Sequence, residues 1–156
     1  MSFAWALYCC RQRREEAQDV LQDVYLRVLD GRAQFAGQSS VKTWLFAVIR
    51  RTASDHYRRH WLRASLLERW LRPEPIIDPA PGPEAELGTS QDVDRMRTAL
   101  AGLSTRQQEV LHLVFYQDLT IAEAAGLLSI SLGSARTHFE RGKARLRERF
   151  GTGPVS

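Results

Sequence analysis

The 156-residue sequence is poor in cysteine and has no long apolar run. Its two cysteines, Cys9 and Cys10, are adjacent, which suits neither a metal-chelating pair nor an ordinary disulfide, so we expect packing residues in a reducing compartment. The apolar opening, residues 1–10, is too short to span a bilayer, and its basic residues follow the apolar run instead of preceding it as in a signal peptide. We therefore expect a soluble, cytoplasmic protein without stable membrane insertion.

Motifs of enzymes and metal proteins are also missing. The sequence contains no phosphate-binding glycine loop, no nucleophile elbow and no paired-carboxylate site. His56 and His60 stand four residues apart on one helical face, but no third ligand or acidic general base accompanies them in a defined motif. We therefore predict a non-catalytic protein with no metal site and no cofactor.

Proline and charge are distributed unevenly along the chain. Five of the six prolines lie in residues 73–83, where they remove helix donors and restrict the residues before them. The surrounding segment, 73–91, has four acidic residues and no Lys or Arg, whereas Lys and Arg outnumber Asp and Glu by 13 to 7 before it and by 9 to 7 after it. A basic excess of this kind, +4 over the whole chain, is compatible with a polyanionic partner.

The rest of the sequence is predicted to be helical. Apolar residues recur at helical spacing on both sides of the proline-rich segment, and no sustained two-residue alternation rich in β-branched residues occurs. The sequence thus predicts an all-α fold of two small helical modules joined by a proline-rich linker. The predicted parts are a first module in residues 1–72, a flexible linker in 73–91, a second module in 92–150 and a tail in 151–156.

The first module is predicted to contain two long helices. One has a three-four apolar repeat that runs from Ala17 to Leu29 and ends before Gly31, a helix-stop residue. The other begins behind Ser39 or Ser40 as N-cap, and its helical periodicity continues towards the linker. The second helix also carries four arginines: Arg50, Arg51, Arg58 and Arg59.

The second module has the pattern of a helix-turn-helix. Residues 104–107 and 120–123 each form a capping box ahead of an apolar helix. A turn at Ser129 leads to a final basic helix capped by Ser131, with Ala135, Phe139, Ala144 and Leu146 near its packed side. A solvated basic helix is the alternative. Since the second helix of this motif lies in the major groove, the predicted base readers are Ser134, Arg136, Thr137 and His138, and the predicted phosphate contacts are Arg141 and Lys143.

Several stretches resemble the extracytoplasmic-function (ECF) sigma factors of the sigma-70 family. Residues 119–148, LTIAEAAGLLSISLGSARTHFERGKARLRE, resemble region 4, and residues 103–113, LSTRQQEVLHL, resemble its lead-in. Residues 19–29, DVLQDVYLRVL, are similar to the region 2 helix that grips the polymerase clamp, and residues 35–59 resemble the promoter-melting stretch. The resemblance implies a bacterial sigma factor whose first module is a region 2 bundle and whose second module is region 4. Its implied partners are core RNA polymerase, promoter DNA and an anti-sigma factor.

The resemblance also implies roles for particular residues. The loop that begins at Phe35 matches the one that accepts a flipped base of the minus-ten element, where capture in a pocket offsets the cost of extrusion. Trp44 and Phe46 could stack on bases, although at helical spacing Trp44 is expected in the core. The residues assigned to the minus-ten element are Phe35, Gly37, Gln38, Ser39, Ser40, Lys42, Arg50, Arg51, Thr52, Arg58 and Arg59. The residues assigned to polymerase binding share one polar face of the first long helix: Asp19, Gln22, Asp23 and Arg27. The alternative interpretation is that this face is simply solvated.

The sequence departs from the family at two places. Thr52 stands where many relatives have an asparagine that touches the minus-ten DNA, so no preferred bases are predicted. The family usually has a longer helix before Arg14, and we expect either a shortened helix there or a start further upstream. Two other functions compete with a sigma factor. A stand-alone helix-turn-helix regulator would need no polymerase, and a basic amphipathic protein could rest on membranes through residues 61–71.

Overall fold

Every regular element in the computed structural model is an α-helix within the residues that it describes, 1–70 and 98–150. These residues form two compact units. The first unit contains α1 (Ser2–Cys9), α2 (Arg14–Leu29) and α3 (Val41–Trp70). In the second unit, the helical residues 98–101 precede α4 (Thr105–Phe115), α5 (Ile121–Leu128) and α6 (Leu132–Phe150). The all-α prediction is confirmed, and the predicted linker and tail lie outside the described residues.

Trp5 of α1 is the centre of the first unit, in which each of the three helices packs against the other two. The indole is 0% exposed and stacks on Phe46 of α3, with 6.0 Å between the ring centroids. Its Nε1–H donates to the backbone carbonyl of Phe46 at 3.0 Å, which satisfies a buried donor. Val20 and Val24 of α2 are buried in the same unit. Trp5 thus anchors the eight-residue α1 against α3.

The ends of α2 and α3 follow from single residues. After α2, Gly31 adopts a left-handed φ of +71° and its N–H donates to the carbonyl of Val28, as expected for a helix stop. At the start of α3, the Ser40 Oγ accepts the N–H of Thr43 at 3.1 Å. The predicted stop at Gly31 and the predicted cap at Ser40 are therefore confirmed, and α3 continues as one helix to Trp70.

The second unit is built on two capping boxes, and both are confirmed. Ser104 and Gln107 exchange side chain to backbone hydrogen bonds at the start of α4, and Thr120 and Glu123 do the same at the start of α5. Each box satisfies two backbone donors that a helix start leaves without a partner. The two short helices therefore begin at positions that their local sequence specifies.

A tight turn joins α5 to α6 and completes the helix-turn-helix. Ser129 has a left-handed φ of +55° and the N–H of Ile130 donates to the carbonyl of Ala125. The Ser131 Oγ then accepts the N–H of Ser134 at 3.1 Å, so Ser131 caps α6 as predicted. The helix-turn-helix prediction is confirmed.

The packed side of α6 differs from the prediction at one position. Ala135 and Phe139 are buried as expected, but Ala144 is exposed. Gly142 is buried in its place, because α6 passes so close to α4 that a Cβ at residue 142 would lie 2.8 Å from the Leu111 Cδ1. The helix therefore turns Ala144 towards solvent.

Burial inside the second unit keeps a histidine neutral. The Gln117 side chain is buried, and its Nε2 lies 3.2 Å from the Nε2 of His112. Burial lowers the pKa of His112 from 6.5 to about 4. The ring is therefore uncharged near neutral pH and can accept the amide N–H of Gln117.

We expect the second unit to lose stability as the pH falls from about 6.5 to about 4. Over this interval His112 takes up a proton in the unfolded chain but not in the folded one. Each pKa unit is worth about 1.4 kcal/mol, and partial solvent exposure of the ring reduces the total loss to about 2 kcal/mol. Hydrogen-exchange protection of the α4 amides across this range measures the loss. A His112→Gln chain should lack this part of the pH slope, and equal slopes in the two proteins would contradict the prediction.

Candidate nucleic-acid and polymerase interfaces

The predicted base readers lie around the exposed side of α6. Ala135, Phe139 and Gly142 face the core, so Thr137 lies near the middle of the opposite side at about 100° per residue. Arg136 and Arg141 are exposed on the two edges of that side. Of the other predicted contacts, Ser134 is exposed, whereas His138 and Lys143 are half-buried. The helix thus offers solvent a face with cations on both edges.

Part of the positive charge of α6 is used inside the second unit. Arg145 donates to the carbonyl of Gly102 at 3.3 Å, and Arg149 donates to the carbonyl of Thr98 at 2.8 Å. These carbonyls lie at the C-terminal end of the helical residues 98–101, where a cation is favourable. Lys143 lies 4.9 Å above the Phe139 ring. Arg145, Arg149 and Lys143 therefore interact within the second unit, whereas Arg136 and Arg141 are exposed on α6.

The loop between α2 and α3 exposes an aromatic pair. Phe35 is partly exposed and packs against Trp44, with 5.5 Å between the ring centroids. The predicted residues that follow it are all exposed: Gly37, Gln38, Ser39 and Ser40. Trp44 is half-buried rather than in the core, and Phe46 is buried under Trp5. The expected core position of Trp44 and the suggested base stacking by Phe46 are both wrong, because the two residues face different sides of α3.

Thr52 is enclosed in the first unit, which contradicts its predicted contact with DNA. The side chain is 0% exposed, and its Oγ1 has no hydrogen-bond partner. It lies on the side of α3 that also carries the buried Ile49 and Ala53. The sequence showed that Thr52 lies in a basic stretch, but it did not show which side of α3 carries its side chain.

Replacing Thr52 with valine is expected to raise the free energy of unfolding of the first unit by about 1 kcal/mol. The change keeps the shape and removes a buried hydroxyl that makes no hydrogen bond. Thr43 is the matched control, because it is also buried but its Oγ1 lies 2.9 Å from the Ser40 Oγ. Thr43→Val should lower the free energy of unfolding by about 1 kcal/mol. Urea denaturation followed by tryptophan fluorescence reports both, and a destabilised Thr52→Val chain would disprove the unpaired hydroxyl.

The basic residues predicted to hold minus-ten phosphates follow α3. Arg51, Arg58 and Arg59 are exposed, whereas Lys42 and Arg50 are half-buried. The Lys42 Nζ lies 5.9 Å from the centre of the Phe46 ring. A row of exposed guanidinium groups along one helix provides several points of attachment for a phosphate backbone.

The four residues predicted to bind polymerase separate into two pairs. Asp19 and Gln22 are exposed on α2. Asp23 and Arg27 are half-buried and hydrogen-bonded to each other at 3.1 Å. The Asp23 Oδ2 also lies 3.2 Å from the His56 Nε2, so this second pair links α2 to α3.

The charge of Asp23 is stabilised where the two helices meet. Partial burial opposes ionisation, but the hydrogen bonds from His56 and Arg27 outweigh it and lower the pKa of Asp23 below its usual value. Arg27 also forms an ion pair with Asp55 of α3 at 3.7 Å. Asp23 and Arg27 therefore hold the first unit together, and a partner that binds α2 would find Asp19 and Gln22 more accessible.

An apolar surface on α2 was missed by the sequence analysis. Gln22, Tyr25, Leu26 and Leu29 lie on one side of the helix at the spacing i, i+3, i+4, i+7, and we call this the outer face of α2. All four are exposed, and Leu29 is 82% exposed. The three-four apolar repeat predicted from the sequence contains Tyr25 and Leu29 beside the buried Val20 and Val24, without separating the two groups. The apolar repeat of α2 is wider than the stripe that a helix buries in a three-helix unit. This excess width was the available signal that some of its residues are exposed.

Two further observations concern a membrane span and a metal site. Within the two described ranges, no helix combines the length and apolar character needed to cross a membrane. The same ranges contain no group of three or more His, Cys, Asp or Glu side chains placed to hold a metal ion.

Comparison with known proteins gives matches on both units. Residues 1–63 match Sigma-70 region 2, and residues 94–146 match Sigma-70, region 4. The ECF RNA polymerase sigma factor SigC of Mycobacterium tuberculosis is 32% identical over 130 residues, which cover 83% of this chain and 68% of SigC. The RNA polymerase sigma factor YlaC of Bacillus subtilis is 30% identical over 134 residues, which cover 86% of this chain and 77% of YlaC.

Solved structures share the fold. The sigma factor RpoE, crystallised with the anti-sigma factor NepR from Bartonella quintana, has a TM-score of 0.66 and 22% identity, with 97% of this chain and 91% of RpoE covered. CnrH, in complex with the cytosolic domain of CnrY, has a TM-score of 0.61 and 20% identity, with 98% of this chain and 82% of CnrH covered.

Proposed function

The chain belongs to the ECF sigma factors of the sigma-70 family, and from this we propose how its two units share the selection of a promoter. As an RNA polymerase sigma factor it directs core polymerase to promoters and initiates transcription. The first unit binds core polymerase and opens the minus-ten element, while the second unit binds the minus-thirty-five element. The observation that carries the proposal is the presence, in one chain, of a region 2 match and of a helix-turn-helix with a cation-edged α6.

The second unit reads the upstream element through α6. In a helix-turn-helix the early residues of the second helix meet base edges in the major groove, and an arginine there pairs with guanine. Exposure and position on α6 support Arg136 and Thr137 as readers and Arg141 as a phosphate contact. The full proposed set is Ser134, Arg136, Thr137, His138, Arg141 and Lys143.

The first unit captures an unpaired base beside the aromatic pair. Extruding a base costs a few kcal/mol, and stacking on an aromatic ring returns about 1–3 kcal/mol per base. Phe35 is partly exposed and is supported from below by Trp44, which favours it as the stacking surface. The adjoining loop and the basic side of α3 supply the other proposed contacts, namely Gly37, Gln38, Ser39, Ser40, Lys42, Arg50, Arg51, Arg58 and Arg59.

Core polymerase binds the outer face of α2 together with Asp19. An exposed apolar surface next to polar groups is typical of a protein interface. Asp23 and Arg27 contribute by holding α2 against α3, so their part in binding is to position that surface. The polymerase supplies the chemistry, and the chain is its non-catalytic specificity subunit without a cofactor.

We further propose an anti-sigma factor as a regulatory partner. Both structures that share the fold are complexes: RpoE was crystallised with the anti-sigma factor NepR, and CnrH is in complex with the cytosolic domain of CnrY. Binding of such a protein would cover surfaces that polymerase or DNA needs. These interactions belong in the bacterial cytoplasm, where polymerase and promoter DNA are found.

The proposal is tested by mixing the full chain with sigma-free core polymerase and a promoter library, then mapping the transcription starts. Starts that share upstream elements at a constant separation are the expected result. A stand-alone helix-turn-helix regulator would instead bind specific duplex DNA without associating with polymerase. That outcome would reject the proposed function.

A further inference from the structure

Glu140 occupies an unusual place for a carboxylate on a helix that faces DNA. At about 100° per residue, it lies within roughly 50° of the direction opposite the buried Ala135, Phe139 and Gly142. Its side chain is 67% exposed. The residue therefore belongs to the solvent-facing side of α6, on one flank of Thr137, and Arg141 lies at a similar angle on the other flank.

The neighbours of Glu140 on this side are small. The Glu140 side chain projects further into solvent than its neighbours on this side, because Gly133, Thr137 and Ala144 have short side chains or none. Its ion pair with Lys143 is loose, at 3.7 Å between Nζ and Oε1, which exceeds hydrogen-bond distance. The carboxylate is thus extended and able to meet another donor.

A negative charge here opposes binding to a polyanion unless a base compensates it. Phosphates repel a carboxylate, and the repulsion applies to every DNA sequence equally. In the major groove, however, the N4 amino group of cytosine is a donor that a glutamate accepts from. A solvated surface residue paired with Lys143 is the competing explanation, and it predicts that removing the carboxylate changes no base preference.

We propose that Glu140 is a specificity-determining residue that reads the N4 amino group of a cytosine in the upstream promoter element. This inference rests on the proposed function of α6. Because Glu140 follows Arg136 by four residues, the cytosine lies about one helical turn further along α6 than the base read by Arg136. The chain then prefers a C·G pair at that position.

The test uses holoenzyme made from the full chain and core polymerase, with a library in which the upstream element is randomised. The wild-type chain should prefer C·G at one position by about tenfold. Glu140→Ala should lose this preference, and Glu140→Gln should move it towards adenine, which glutamine recognises through N6 and N7. Preferences at the other positions should stay unchanged.

Glu148→Gln is the matched control, because it removes the same charge from the same exposed helix two turns later. It should strengthen binding to all sequences slightly without changing any base preference. If all three holoenzymes (wild-type, Glu140→Ala and Glu140→Gln) still select promoters and prefer the same bases, the inference about Glu140 is wrong and the proposed function is unaffected. Absence of promoter selection by the wild-type holoenzyme would overturn the proposed function, and the inference with it.

Discussion

Replacing Trp5 with alanine should lower the free energy of unfolding of the first unit by about 3–5 kcal/mol. The side chain is fully buried, stacks on Tyr8 and Phe46, and satisfies its N–H on a carbonyl of α3. Alanine would leave a cavity between α1 and α3. Because domains are stable by only about 5–15 kcal/mol, a loss of this size removes a large part of the stability of the first unit. Urea denaturation followed by circular dichroism measures it.

Trp61 is the matched control for Trp5. It is also a tryptophan of the first unit, but it is 61% exposed on α3. Trp61→Ala should change the free energy of unfolding by no more than about 0.5 kcal/mol. Losses of similar size in the two variants would show that Trp5 does not organise the unit.

Leu26→Glu should weaken association with core polymerase by at least about 2 kcal/mol, roughly thirtyfold. Leu26 lies on the outer face of α2, and a carboxylate there would be buried against the partner without a compensating charge. The fold should be retained, since residue 26 is already exposed to solvent. Titration of labelled chain with sigma-free core polymerase, at fixed salt, gives the affinity.

Leu66→Glu provides the comparison, because Leu66 is exposed to a similar degree near the end of α3. Its affinity for core polymerase should stay within about threefold of wild type, a difference below 1 kcal/mol. If Leu26→Glu binds as tightly as the wild-type chain, the outer face of α2 is not the polymerase surface.

Local sequence was sufficient to predict the helix-turn-helix of the second unit and the end of α2 in the first. The capping boxes at Ser104 and Thr120, the cap at Ser131 and the stop at Gly31 each depend on hydrogen bonds or backbone angles within a few residues. No distant part of the chain is needed to form them. The helix-turn-helix can therefore be predicted from the sequence, and the structure has it at the predicted residues.

Features that depend on distant partners were not predictable in the same way. Thr52 is buried because α1 and α2 pack against α3, and Ala144 is exposed because Gly142 lets α6 approach Leu111. The sequence does not distinguish Arg145 and Arg149 from the other cations of α6, because the carbonyls of Gly102 and Thr98 to which they donate lie 43 and 51 residues earlier in the chain. Periodicity identifies a helix with an apolar side, but it does not state which neighbours that side will meet.

The most direct measurement is a footprint of one promoter, mapped beforehand, in the presence of the full chain and core polymerase. We expect protection of an upstream duplex element and, in the same complexes, permanganate-reactive thymines downstream where the strands have opened. Lengthening the separation by about five base pairs, half a helical turn, should abolish both signals together. Upstream protection by the chain alone, with no strand opening when polymerase is added, would contradict the account.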